Sequence, residues 1–255
     1  MKTKLLAILF VLALFCPLAV SADTQAKIKL FMIITDPWAQ IIGGDSPRFA
    51  LYDDGTVIFR AVEEKGSPFY TAKLTIEEQG SLLKLTEPLS DLKKWYQIKW
   101  ATDQPTNMIW FRNGEKSKIV KVYGRLNEKL PAGMEVKTEK MPDSLQKAFD
   151  DMSAFKNASA KPWLPDYLEL IVYPFDYSKK KPVQWPANWP TTKDKRTKKV
   201  EDTYYMFLPK SEYGKLQEVL KQCGDSRAVT FGGKKWAFGY RFPFPDEKAI
   251  QEAMK

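Results

Sequence analysis

The 255-residue chain has no histidine and only two cysteines, Cys16 and Cys223, which excludes Ser/His/Asp and Cys/His catalysis and His-ligated zinc. Forty Lys and Arg against 31 Asp and Glu give a formal net charge of +9. The excess is local: from Ser178 to Val200 seven lysines and Arg196 face a single acid, Asp194, a net +7, which argues against a general nucleic-acid binder and towards one basic loop.

Lys2 and Lys4 precede an apolar run from Leu5 to Val20, followed by Ser21, Ala22 and the polar Asp23-Thr24-Gln25. That is the pattern of a secretory leader, with Val20 and Ala22 at the −3 and −1 positions of a cut before Asp23. The run is short for a membrane span, which needs about 20 apolar residues. Phe15 is too bulky a neighbour for Cys16 to be read as a lipidation site. The expectation is residues 1–22 as a signal peptide, a periplasmic or secreted address, and no transmembrane segment in the mature chain. Loss of Cys16 with the leader leaves Cys223 alone, so neither a disulfide within the chain nor a thiolate cluster can form.

Ile28–Ile34 is apolar and β-branched and reads as a strand, and Asp36-Pro37 and Gly43-Gly44 mark turns. Arg48–Tyr52 and Thr56–Arg60 alternate around Asp53-Asp54-Gly55, a hairpin signal. Tyr70–Leu74 is the next strand. Thr75 with Glu78 makes a capping box that opens a helix carrying Ile76, Leu82, Leu83 and Leu85. Met108–Arg112 and Lys118–Tyr123 form a second hairpin about Asn113-Gly114. Pro142 reads as the first residue of a helix with Leu145, Ala148, Phe149, Met152 and Phe155 on one face.

Tyr167–Tyr173 and Tyr204–Leu208 are strands either side of the basic stretch. A helix with Tyr213, Leu216, Val219, Leu220 and Cys223 on one face ends at Gly224. Val229–Phe231 and Trp236–Phe242 then pair across Gly232-Gly233. The order strand, helix, hairpin thus occurs twice, and Leu74, Glu78, Gly80 and Leu82 match Leu208, Glu212, Gly214 and Leu216 at equal spacing. The fold class expected is α+β: antiparallel, hairpin-rich sheets with a few short amphipathic helices, as two similar halves over 23–160 and 161–255, the second holding the basic loop 178–200.

Phe49-Ala50-Leu51-Tyr52 with Asp54-Gly55, Thr102-Asp103-Gln104-Pro105-Thr106, Val122-Tyr123-Gly124, Pro162-Trp163, Trp185-Pro186-Ala187-Asn188-Trp189-Pro190 and the closing Lys235-Trp236 region make the chain resemble a group of uncharacterised bacterial exported proteins with a Trp-Pro-x-x-Trp-Pro motif. The resemblance implies a bacterial envelope address and brings no catalytic residues with it.

The adjacent carboxylates Asp53-Asp54, Glu63-Glu64, Glu77-Glu78 and Asp150-Asp151 read as turn and helix-surface chemistry, because strand neighbours point to opposite faces. No cofactor or metal motif is present. The candidate binding residues are Trp185, Trp189, Lys195, Arg196, Lys198 and Lys199. Either the indoles plug a core corner, or they form an exposed ledge that stacks and attracts an anionic partner. The expected function is non-enzymatic binding or scaffolding at the envelope, the partner being an anionic envelope component or another exported protein and not a nucleic acid. The alternatives are an inhibitor or accessory subunit of another exported protein, and a carboxylate-dependent hydrolase of envelope polysaccharide.

Overall fold

The computed structural model describes residues 26–35, 45–61, 69–99, 102–126, 139–248 and 250. Residues 1–22, expected as a leader, and the Asp36-Pro37, Gly43-Gly44 and Glu63-Glu64 motifs lie outside them. The fold is α+β, with two sheets and three short α-helices among the described residues.

The first sheet runs β5 (Trp95–Gln97), β7 (Lys116–Tyr123), β6 (Thr106–Asn113), β1 (Ile28–Ile34), β2 (Phe49–Tyr52), β3 (Thr56–Arg60), β4 (Phe69–Lys73) and β8 (Lys161–Pro162). The second runs β10 (Val183–Gln184), β13 (Ala228–Phe231), β14 (Lys234–Arg241), β9 (Tyr167–Pro174), β12 (Thr203–Pro209) and β11 (Lys198–Val200). All pairings are antiparallel except one edge pair in each sheet, β5 with β7 and β10 with β13.

Local chemistry explains the main elements. Between β2 and β3, Gly55 takes φ 82°, and a Cβ there would lie 3.0 Å from the Leu74 carbonyl oxygen, so the turn favours glycine. Thr75 and Glu78 close a reciprocal capping box on α1 (Ile76–Leu83). Pro142 is the residue before α2 (Asp143–Ser153) rather than its first turn, its extended ψ of 138° placing it outside the helix. Gly224, at φ 56°, ends α3 (Tyr213–Cys223).

The order strand, helix, hairpin occurs on both sheets. The matched leucines Leu74, Leu82, Leu208 and Leu216 are all buried. The hairpins enter in opposite senses: β6, first strand of its pair, lies against β1, whereas β14, second strand of its pair, lies against β9.

Both faces of the first sheet are buried. Phe49, Leu51, Val57, Phe59, Ile109 and Phe111 pack with Leu82 of α1 and Leu145, Phe149 and Met152 of α2. The alternate residues Ala50, Tyr52, Ile58, Met108 and Trp110 belong to a second cluster that takes in Leu170, Val172, Met206 and Phe238 of the second sheet and Leu216 and Val219 of α3. The two sheets meet at an aromatic joint where Phe69 lies 5.0 Å from Phe242 and 5.4 Å from Phe244, centroid to centroid.

The last described segment ties the sheets further. Phe242 N donates to Ser46 Oγ at 2.8 Å, Tyr52 Oη donates to the Pro245 carbonyl at 3.1 Å, and Ile28 N donates to Asp246 Oδ2 at 3.2 Å. Arg241 bridges two carboxylates, Glu169 on the neighbouring strand and Glu247, the latter at 2.9 Å. No helix among the described residues is long and apolar enough to cross a membrane.

Candidate binding groove

The Trp-Pro motif forms a closed corner. Proline restricts the backbone before it, and hydrogen bonds finish the geometry: the Trp185 indole Nε1 donates to the Pro190 carbonyl at 3.0 Å, and the Trp189 backbone N–H to the Pro186 carbonyl at 3.1 Å. The two rings meet edge to face at 5.1 Å, and Trp185 lies 5.0 Å from Phe231 and 5.4 Å from Phe238. Trp185 and Trp189 are 2% and 3% exposed, so they are core side chains with little face left for a ligand.

That fixed corner positions the basic segment from Thr191 to Val200. Thr197 Oγ1 donates to the Thr191 carbonyl at 2.8 Å, Thr197 N to the Asp194 carbonyl at 2.9 Å, and Arg196 N to Asp194 Oδ1 at 2.9 Å. This knot of turns delivers the chain into β11, which pairs Lys198 with Tyr205 and Lys199 with Tyr204. Successive strand residues point to opposite faces, so the two lysines separate. Lys198 Nζ sits 5.8 Å from the Phe207 ring, and Lys199 Nζ sits 5.5 Å from the Tyr204 ring on the other face.

On the Lys198 side a groove of about 510 Å³ opens, lined by Tyr167, Lys195, Arg196, Thr197, Lys198 and Phe207. Three cations and two aromatic rings line it, and no acid among the described residues does. Arg196 lies 5.6 Å from the Tyr167 ring and 3.7 Å from Asp194, whereas Lys195 and Lys198 have no acidic partner among the described residues. Cation–π contacts at such exposed sites are worth about 0.5–1 kcal/mol, enough to orient the side chains and too little to neutralise them. The groove is therefore a preformed, net positive surface with an aromatic floor.

The six residues chosen from sequence thus divide three ways: Trp185 and Trp189 are buried, Lys195, Arg196 and Lys198 share the groove, and Lys199 faces away from it. The structure adds Tyr167 and Phe207. Their clue was strand alternation, since Met206 and Leu208 point to the core and leave Tyr205 and Phe207 for the other face.

A second recess of about 470 Å³ lies between the Trp-Pro corner and α3, with Lys215 and Glu218 of opposite sign on its wall. Asn188 and Lys215 are joined there at 3.1 Å.

Among the described carboxylate pairs, Asp53, Asp54, Glu78, Asp150 and Asp151 all have hydrogen-bond partners. Burial draws the Asp54 carboxyl up, but bonds from Lys73 and Thr56 outweigh it and hold the group below the ordinary range. Asp53 Oδ1 accepts from Lys27 N, and Lys147 pairs with Asp151 at 2.7 Å. Burial pushes the Cys223 thiol up, with Arg227 opposing, which disfavours a thiolate nucleophile. No cluster of acidic or cysteine side chains among the described residues could hold a metal ion. No protein-family model matches the chain, and neither does any curated protein or solved structure.

Proposed function

We propose that the chain is an exported, non-enzymatic binding protein of the cell envelope that holds an anionic partner in the groove at the β11 edge. The observation that carries this reading is the all-basic lining of Lys195, Arg196 and Lys198 above Tyr167 and Phe207. Cations of one sign along a low-dielectric wall concentrate anions and speed their encounter, and the exposed ring of Tyr167 supplies contact area at low entropic cost. The buried indoles take the part of a brace, holding the loop that carries the cations. The leader pattern and the resemblance to exported bacterial proteins support the address.

The test is equilibrium binding of a carboxylated glycan and of a neutral dextran of equal size, with the glycan's chain length measured after incubation. Binding of the charged polymer alone, with its length unchanged, is the expected result. Equal affinity for both polymers contradicts the groove, and shortening of the glycan contradicts the non-enzymatic reading.

A second reading, docking on another exported protein, draws on β11 itself. It is an edge strand whose Val200 is 58% exposed, and a free edge can accept a strand from a partner. A stable stoichiometric complex lost on Val200→Pro, with the groove cations intact, distinguishes it.

A further inference from the structure

Strand register extends the groove into a longer track. Tyr167 and Tyr173 lie on the face of β9 away from Leu168, Leu170 and Val172, and Tyr205 and Phe207 lie on that face of β12, paired with the buried Ile171 and with Glu169, whose charge Arg241 takes up. All four rings therefore lie on one face, diagonal neighbours across the pair at about 7–8 Å. Past the end of β9 the file continues: Tyr173 to Phe175 is 6.3 Å and Phe175 to Tyr177 is 5.1 Å, both edge to face. None of the six rings is buried, and Tyr177 at the far end is 79% exposed. Lys179, Lys180 and Lys181 come after it in the chain, all exposed. From Tyr167 to Tyr173 alone the strand covers roughly 20 Å at about 3.3 Å per residue. A file of rings of this length, exposed at its two ends and half-buried between them, with lysines near both ends, marks an interaction surface.

We infer that the partner is a linear anionic glycan that enters at Lys195, Arg196 and Lys198, lies along the aromatic file, and meets Lys179–Lys181 at its far end. This rests on the proposed anion-binding groove at the β11 edge. Sugar rings stack their C–H faces on aromatic side chains and leave hydroxyl and carboxylate groups free to reach solvent or lysine. An acidic peptide on the same face would press backbone N–H and C=O groups against rings that cannot pair with them. A single-stranded nucleic acid carries a phosphate on every residue and needs cations along its whole backbone, whereas the turn beside the middle of the file carries the exposed acids Glu201 and Asp202, which a glycan charged only on alternate sugars can pass with a neutral sugar. A bilayer would meet Tyr177 and miss the half-buried rings behind it.

The experiment measures affinity for a tetrasaccharide and a dodecasaccharide of hyaluronan, which carries a carboxylate on alternate sugars, with oligoglutamate and oligothymidylate of similar length as comparators. The dodecasaccharide is expected to bind about tenfold tighter than the tetrasaccharide, since it reaches rings and lysines beyond the shorter chain and two more charge–aromatic contacts of about 0.5–1 kcal/mol each suffice for that factor. Phe175→Ala with Tyr177→Ala should remove that advantage and leave the tetrasaccharide unchanged. Both variants sit at the surface, and unaltered circular dichroism confirms the fold. Equal affinity for the two lengths, with binding still lost on reversing Lys195, Arg196 and Lys198, overturns the track and leaves the groove. Tighter binding of oligoglutamate or oligothymidylate overturns the glycan. Failure of every oligomer to bind overturns the track and the groove together.

Discussion

The Trp189 indole N–H donates to Glu212 Oε2 at 2.8 Å, while the other oxygen of that carboxylate accepts from Asn188 Nδ2 at 3.2 Å. One acid at the start of α3 thus anchors the Trp-Pro corner across more than twenty residues of chain. Glu78, the residue matched to it by spacing in the first half, caps its own helix instead.

The corner should therefore be a stability element. Trp189→Ala is expected to cost about 3–5 kcal/mol, the range for removing a large buried aromatic side chain. Glu212→Ala, which leaves the indole N–H unpaired, should cost about 1–3 kcal/mol. Chemical denaturation checks both, and a change below half a kcal/mol for Trp189→Ala would show that the corner braces nothing.

Lys198 and Lys199 differ in side, so they should differ in effect. Lys198→Glu is expected to weaken capture of an anionic glycan several-fold, and Lys199→Glu to change it little. Both residues are exposed, so neither change should move the melting temperature by more than a degree or two. Equal loss of binding from the two would mean that the segment acts as diffuse charge and not through the groove.

The Arg241 bridge predicts a pH dependence of defined sign. Burial lifts the Glu247 carboxyl above the ordinary range, Arg241 pulls it down by less, and the like charge of Glu169 adds to the rise. The folded state holds that proton more tightly than the unfolded chain does. Its contribution to stability is thus complete below the ordinary carboxylate pKa and is lost as pH rises through the raised value. Asp54, whose folded pKa is depressed, has the opposite sign: its contribution is present above the ordinary value and lost on acidification. The 43% exposure of its side chain makes that effect small. Denaturation midpoints across mildly acidic to neutral pH should show a decline in the wild type that Glu247→Gln flattens. An unchanged profile in the variant contradicts the assignment.

Residues 1–22, read as a secretory leader, predict a mature chain that starts at Asp23. Intact-mass measurement of the exported protein should give that terminus, and a retained Met1 or a lipid on Cys16 contradicts it.

Much of the fold was legible because its determinants are local. The β2–β3 and β13–β14 hairpins follow from Asp53-Asp54-Gly55 and Gly232-Gly233, and both residues of the latter pair adopt positive φ. β5, β8, β10 and β11 were not legible. Runs of two or three residues have no period of their own, and they become strands only because an existing sheet edge offers them a partner. The site divides in the same way. The cations stand out from composition, but Tyr167 and Phe207 join them only through the register of β9, β12 and β11. The burial of Trp189 depends on Glu212, which no local pattern connects to it.

The most direct measurement is the affinity of the mature protein for a carboxylated glycan across ionic strength, for the wild type and for the Lys195→Glu, Arg196→Glu, Lys198→Glu triple variant. Screening shortens from about 10 Å at 0.1 M salt to about 3 Å at 1 M. Wild-type binding should weaken steeply over that range, and the triple variant should bind at least tenfold more weakly at low salt with its melting temperature intact. Wild-type affinity indifferent to salt, or a triple variant that binds as well as the wild type, would contradict an anion-binding groove at the β11 edge.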